Sequence, residues 1–257
     1  MSLEVKNLTV SFAGSEVSKG VSFQVKQGQM LSIVGGSGSG KTTICRAIMG
    51  LLGSAYDTKG EILYQGKNLL AIPHKKLESI YGRDICFIAQ NPMTAFNPSI
   101  RMEKQLRKTY LQHQSKTAKG DIKNMLINMM RRLGLEDGER VLKSYPFELS
   151  GGMLQRLMII AALINQPKVL VADEATTAID ACNRKELMEQ LRGLCDEGMS
   201  VLLVTHDLKA AAYSDEIFIL NKGEMVEYGE TKAVLNRPKE KYTEYLLNTS
   251  HLERRAI

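Results

Sequence analysis

The chain has no tryptophan and few other aromatic residues. Its four cysteines, Cys45, Cys86, Cys182 and Cys195, stand far apart. So sparse a set of rings offers no platform for stacking single-stranded bases. With no C-x-x-C pair there is no thiol metal frame, and the spacing reads as reduced cytosolic thiols. No apolar run reaches the ~18 residues that a membrane-spanning helix needs. Met1-Ser2-Leu3-Glu4-Val5 lacks the apolar stretch of a secretory signal. The net charge of +6 has no block of one sign behind it, so it reads as solvated surface and not as a nucleic-acid footprint. Internal repeats and low-complexity tracts are also missing. What remains is 257 residues at 44% hydrophobic content, enough for one or two globular domains with a substantial core.

One stretch stands out. Gly35-Gly36-Ser37-Gly38-Ser39-Gly40-Lys41-Thr42 fits G-x-x-x-x-G-K-[ST], with Thr43 next. The apolar run Met30–Val34 precedes it, and Ile44, Ile48, Leu51 and Leu52 follow at helical spacing. Strand, loop and helix therefore occur in the order a phosphate-binding loop requires. Glycines let successive N–H groups turn toward an anion, and the helix N-terminus adds its unpaired donors. Lys41 is expected to meet the β- and γ-phosphates, and the Thr42 hydroxyl to ligate Mg²⁺.

Elsewhere, residues 1–34 read as β-rich, and Glu61–Gly66 as a short strand. Together they predict an antiparallel layer beside the P-loop core. Phe12 is placed either to stack on a purine or to serve as an ordinary core ring. Asp84–Gln90 is a buried-strand run that Asn91-Pro92 ends. The segment 91–155 changes character and is expected to be helical. Within it Ile122, Met125, Leu126, Met129, Met130 and Leu133 share a face, either core or an adaptable binding surface. Strand runs return at Val169–Ala172 and Val201–Val204, with a helix between them marked by Leu187, Leu191 and Leu194. Ile217–Leu220 and Met225–Tyr228 flank a hairpin turn at Asn221-Lys222-Gly223. A helical tail follows from 231.

This alternation predicts an α/β fold: a P-loop core with a parallel sheet, an N-terminal antiparallel β subdomain and an inserted helical subdomain. The expected division is 1–90 with 156–257 for the core, and 91–155 for the helical part. Ligands of such sheets bind at the carboxyl ends of the strands, where the P-loop, Gln90, Asp173-Glu174 and His206 all fall. Asp173 suits a Mg²⁺-holding carboxylate. Glu174, on a strand-like backbone, would point to the other side and activate or orient the attacking water. His206 would donate to the γ-phosphate. Ser150-Gly151-Gly152 opens an apolar helix and offers a second phosphate-binding helix end, which implies a nucleotide held by a partner.

In order and spacing these motifs resemble the ATP-binding subunit of an ABC transporter over nearly the whole chain. Residues 35–42 match Walker A, Gln90 the Q-loop, Leu149–Met153 the signature and Val169–Glu174 Walker B. Thr177–Asp180 match the D-loop, and His206 the switch histidine. Phe12 matches the A-loop position, where the family usually has Tyr. Met153, Ala175 and Ile179 are departures from the commonest family residues. The resemblance implies ATP and Mg²⁺ as cofactors, with Thr42, Asp173 and Gln90 at the metal and Glu174, His206 and Gln90 in catalysis. Phe12, Thr43, Asp180 and the signature residues Ser150, Gly151 and Gly152 would also touch nucleotide.

It implies further a head-to-tail dimer with a second ATP-binding subunit, docked on two transmembrane permease subunits at the cytoplasmic face of the membrane. An extracytoplasmic substrate-binding protein completes such complexes, and nucleic acid is not expected. The run Gln90–Pro98 is similar to that of peptide and nickel importers, and the absence of a late cysteine cluster tilts the resemblance toward the nickel or metal-chelate branch. The alternative is an ABC-type ATPase acting on nucleic acid or ribosomes, which usually carries two ATPase domains or long arms. A P-loop kinase is a third option, but the signature and D-loop have no role in one.

Overall fold

A computed structural model describes residues 3–113, 121–175 and 181–250. Strands β1 (Leu3–Phe12), β2 (Ser15–Val25) and β3 (Met30–Val34) lead into helix α1 (Lys41–Ile48). Then come β4 (Tyr56–Tyr64), the short β5 (Lys67–Asn68), a single turn α2 (His74–Leu77) and β6 (Ile85–Ile88). Four helices follow: α3 (Met102–His113), α4 (Ile122–Arg132), α5 (Gly138–Lys143) and α6 (Gly151–Leu163). The chain returns to β7 (Val169–Asp173), α7 (Ala181–Asp196), β8 (Ser200–Thr205), α8 (Leu208–Ala211), β9 (Glu216–Asn221) and β10 (Glu224–Glu230). Helices α9 (Thr231–Asn236) and α10 (Lys241–Thr249) close the described part.

The apolar runs assemble into one six-stranded sheet ordered β10-β9-β3-β8-β7-β6, parallel except for β10. Every residue of β3, β7 and β8 is buried, as continuous apolar runs in a doubly covered parallel sheet should be. Alternate side chains serve two cores. Leu31, Ile33, Val169, Val171, Leu202 and Val204 pack with α1 and the N-terminal strands. Met30, Leu170, Ala172, Val201 and Leu203 pack on the opposite face with α3 to α6. Helices α1 and α6 therefore cover opposite faces of the sheet.

The antiparallel sheet is ordered β2-β1-β4-β5. Its β4 is longer than the sequence suggests and pairs with β1 from Phe12–Tyr56 to Leu3–Tyr64. The added residues 56–60 are mostly polar and at least partly exposed, so they carry no apolar alternation. Hairpin turns at Ala13-Gly14, Gln65-Gly66 and Lys222-Gly223 hold positive φ at both residues, which matches the twist of the strands they join.

In α4, Ile122, Leu126 and Met130 are buried in the second core, along with Leu133 just beyond the helix. Met125 and Met129 lie at its edge and line a groove shared with the ends of α6 and α7. The expected division between residues 155 and 156 falls inside α6, so one helix serves both the helical part and the sheet core. Among the described residues no helix is long and apolar enough to cross a membrane.

Candidate functional site

The P-loop leaves the carboxyl end of β3 and is boxed in by the β9–β10 hairpin and β2. A Cβ at Gly35 would overlap the Leu220 carbonyl, and one at Gly40 would meet the Val17 carbonyl at 2.6 Å. Gly40 also holds φ at +104°, which side-chain-bearing residues rarely adopt. The Ser39 carbonyl accepts from Gly223 N at 3.0 Å. Ser37 and Gly38 stay exposed at the tip, and Thr43 is partly buried in the first turn of α1. That turn has no acidic side chain to compete for its free N–H groups.

Lys41 donates to the Gly35 and Gly36 carbonyls, each at 2.8 Å. Burial pushes its pKa below the usual lysine value, against the pull of Glu174 and Asp173. The Thr42 hydroxyl donates to Asp173 Oδ1 at 3.2 Å. Asp173, at the end of β7, is 2% exposed. Burial raises its pKa, and the Thr42 hydrogen bond works the other way. One hydroxyl and one carboxylate side by side, next to a phosphate cradle, fit Mg²⁺. That ion takes hard oxygen donors and completes its shell with water and phosphate.

Glu174 ties the next three expected residues together. Its Oε2 accepts from Gln90 Nε2 at 2.6 Å, and its Oε1 lies 3.2 Å from His206 Nδ1. These groups come from the ends of β6, β7 and β8, neighbours in the sheet. The backbone at Glu174 is not strand-like. The residue sits at φ +50°, in the left-handed region, and its N–H reaches the Val204 carbonyl at 2.8 Å. The strand ends at Asp173 because this turn redirects the chain, and a non-glycine residue held there is strained. Asp207 fixes the His206 loop. It caps α8 through Lys209 N at 2.8 Å, pairs with Arg184 of α7, and its own N–H donates to Thr205 Oγ1 at 2.9 Å.

Ser150 caps α6, accepting from Met153 N at 3.3 Å, and Gly151 and Gly152 face open space. Phe12 is 46% exposed, with its ring 4.8 Å from that of Tyr56, so the core reading does not hold. Asp180, with Thr177–Ile179, lies outside the described residues.

Three residues escaped the sequence reading. Gln155, buried in α6, donates to the Ala175 carbonyl at 2.7 Å and so ties the signature helix to the chain just after Glu174. Its only signal was an amide that, with Arg156, interrupts a mostly apolar helix. Arg184 gave none. Tyr242 of α10 accepts from Gly36 N at 3.2 Å, a contact across 206 residues that no local pattern carries.

Residues 18–177 match the family described as ABC transporter. The chain belongs to that family. It is similar to the dipeptide transport ATP-binding protein of Lactococcus lactis, at 37% identity over 96% of this chain and 73% of the relative. The metal-staphylopine import system ATP-binding protein of Staphylococcus aureus is 36% identical, over 96% of this chain and 92% of its own length. Of a longer relative, 38% identical, the chain spans only 46%. The fold matches an ATP-binding cassette solved as a dimer in a post-hydrolysis state with ADP and Pi. That match has a TM-score of 0.80 at 26% identity and covers 89% of this chain and 98% of the cassette. The chain is thus an ATP-binding, ATP-hydrolysing ABC cassette of α/β P-loop fold.

Proposed function

We propose that this ATPase energises an importer for metal chelates or peptides from the cytoplasmic face of a membrane. Support comes from the import systems that its relatives serve and from the convergence of Gln90, Glu174 and His206 on one point. That convergence carries the catalytic reading. Glu174 accepts the proton of the water that attacks the γ-phosphate, Gln90 holds the glutamate's other oxygen, and His206 donates to the departing phosphate. Lys41 leaves the Gly35 and Gly36 carbonyls to meet the β- and γ-oxygens. Thr42 and Asp173, together with Gln90, would hold Mg²⁺, which would supply charge neutralisation at the phosphates when bound.

Phe12 stacks on the adenine ring, and Ser37, Gly38, Ser39, Gly40 and Thr43 complete the phosphate cradle. Ser150, Gly151 and Gly152 serve the nucleotide of a second ATP-binding subunit, and Asp180 lies at the interface between the two. The covering of opposite sheet faces by α1 and α6 supports this trans arrangement, because one chain's P-loop and signature helices are built into different layers. Segment 91–155 acts as the helical subdomain that meets two permease subunits, with Gln90 as its hinge. An extracytoplasmic binding protein delivers the cargo. The ribosomal or nucleic-acid alternative finds no support among the relatives.

The reading is tested by deleting the chain from its host and measuring uptake of labelled nickel and of labelled dipeptide. Loss of either, restored by the wild-type chain but not by Glu174→Gln, is the expected result. Unchanged uptake of both would remove the importer reading.

A further inference from the structure

Gly36 is gripped from both sides. Its carbonyl accepts from Lys41 Nζ at 2.8 Å, and its N–H donates to the Tyr242 hydroxyl at 3.2 Å. Tyr242 belongs to α10, more than 200 residues later, and that helix is itself anchored. Lys239 N and Glu240 N, at its entry, donate to the carboxylate of Glu227, at 3.0 and 3.4 Å. Leu247 packs with Val34, the residue just before the P-loop, and Tyr242 packs against the same cluster. A Cβ on Gly36 would lie 3.3 Å from the Tyr242 hydroxyl, so the fit is close. When Lys41 turns to the phosphates, the Gly36 carbonyl keeps only the longer bond from Ser39 N at 3.3 Å, and the tyrosine is the tie from outside the loop that remains on this residue.

We propose that Tyr242 is a positioning residue for the phosphate-binding loop, and that docking of α10 and nucleotide binding support each other through Gly36. The inference rests on the ATP-binding role of the P-loop. Coupling of this kind is reciprocal: if docked α10 raises nucleotide affinity, bound nucleotide must stabilise docked α10 by the same factor. The hydroxyl acts on the loop and touches no reacting atom. Its loss therefore weakens binding and leaves the chemical step at saturation nearly intact.

The test uses the full chain and Mg-ATP. Tyr242→Phe removes the hydroxyl and keeps the ring. It should raise both the ATP dissociation constant and the KM about fivefold, as loss of one hydrogen bond implies, with kcat within about twofold of wild type. Amide exchange in residues 241–250 should slow on adding ATP to the wild-type chain and respond much less in the variant. Gly36→Ala, which presses on the hydroxyl, should raise the KM in the wild-type background and by a smaller factor on top of Tyr242→Phe.

An unchanged KM together with ATP-independent exchange of α10 would overturn the proposal, as would equal effects of Gly36→Ala in both backgrounds. Lys41→Ala separates the two levels of the argument. If it loses ATP while Tyr242→Phe binds normally, only the coupling fails. If Lys41→Ala binds ATP normally, the P-loop role falls and the coupling with it.

Discussion

Gln90 Nε2 and Glu174 Oε2 lie 2.6 Å apart, a hydrogen bond between the end of β6 and the end of β7. The amide occupies one carboxylate oxygen and leaves the other beside His206 Nδ1. A glutamate so divided has one edge to orient it and one edge near the histidine. Glu174→Gln keeps this shape and removes the basic oxygen. Hydrolysis should fall by about 10²-fold or more, with Mg-ATP affinity retained. ATP-bound dimers should then accumulate on a sizing column. A variant that turns over at the wild-type rate would show that another group handles the water.

Asp173 gives a pH-dependent prediction. Burial raises its folded-state pKa above the unfolded value, so its ionised form disfavours the nucleotide-free fold. The penalty is present above the folded pKa and vanishes as pH falls below the unfolded one, where both states are protonated. Asp173→Asn should therefore raise the Tm of the nucleotide-free chain at neutral pH, and the gain should shrink as pH falls into the carboxylate range. The same variant should lose Mg²⁺-dependent hydrolysis. A Tm difference that grows toward acid would contradict the assignment.

The trans role of Ser150-Gly151-Gly152 is open to chain mixing. Gly151→Asp sets a carboxylate where a partner's γ-phosphate would come, in a partly dry interface where like charges repel. The isolated variant should bind ATP near normally and fail to hydrolyse it. Mixed with Lys41→Ala, in a homodimer or an engineered pair, it should regain partial activity, because one site then has both elements intact. If Gly151→Asp abolishes binding by the monomer, the motif serves its own nucleotide.

Permease contact should appear at the helical segment. Met93 and Phe147 are 59% and 69% exposed, whereas Phe96 is buried. Crosslinkers at Met93, Ala95 or Phe147 should therefore capture a permease. One at Phe96 should mainly unfold the chain, and capture only from Tyr245 in α10 would place the contact elsewhere.

Most of this site was legible in the sequence because its parts are local. The P-loop carries strand, loop and helix within some twenty residues, and each acid, amide or imidazole follows directly on an apolar run. Gln90 and His206 were weak signals alone and gained weight from their place at strand ends; the sheet order makes those strands neighbours and brings both side chains to Glu174. What stayed hidden depends on distant parts of the chain or on backbone twist. Tyr242 meets Gly36 across 206 residues. The polar half of β4 takes its strand conformation from its pairing with β1. The left-handed turn at Glu174 leaves no compositional trace, since a glutamate there is strained by its surroundings and not chosen for the angle. Phe12 stayed ambiguous because one aromatic at a strand end carries no sign of which side is wet.

The two glycine motifs would separate in a randomised library scored for both abundance and ATPase activity. Gly35 and Gly40 are hemmed in by the carbonyls of Leu220 and Val17, so most replacements there should remove the protein from the cell altogether. Gly151 and Gly152 look onto open space, so replacements should leave the protein abundant and silent. Abundance would thus sort the glycines that the chain needs for its own fold from those whose proposed role is to meet another molecule.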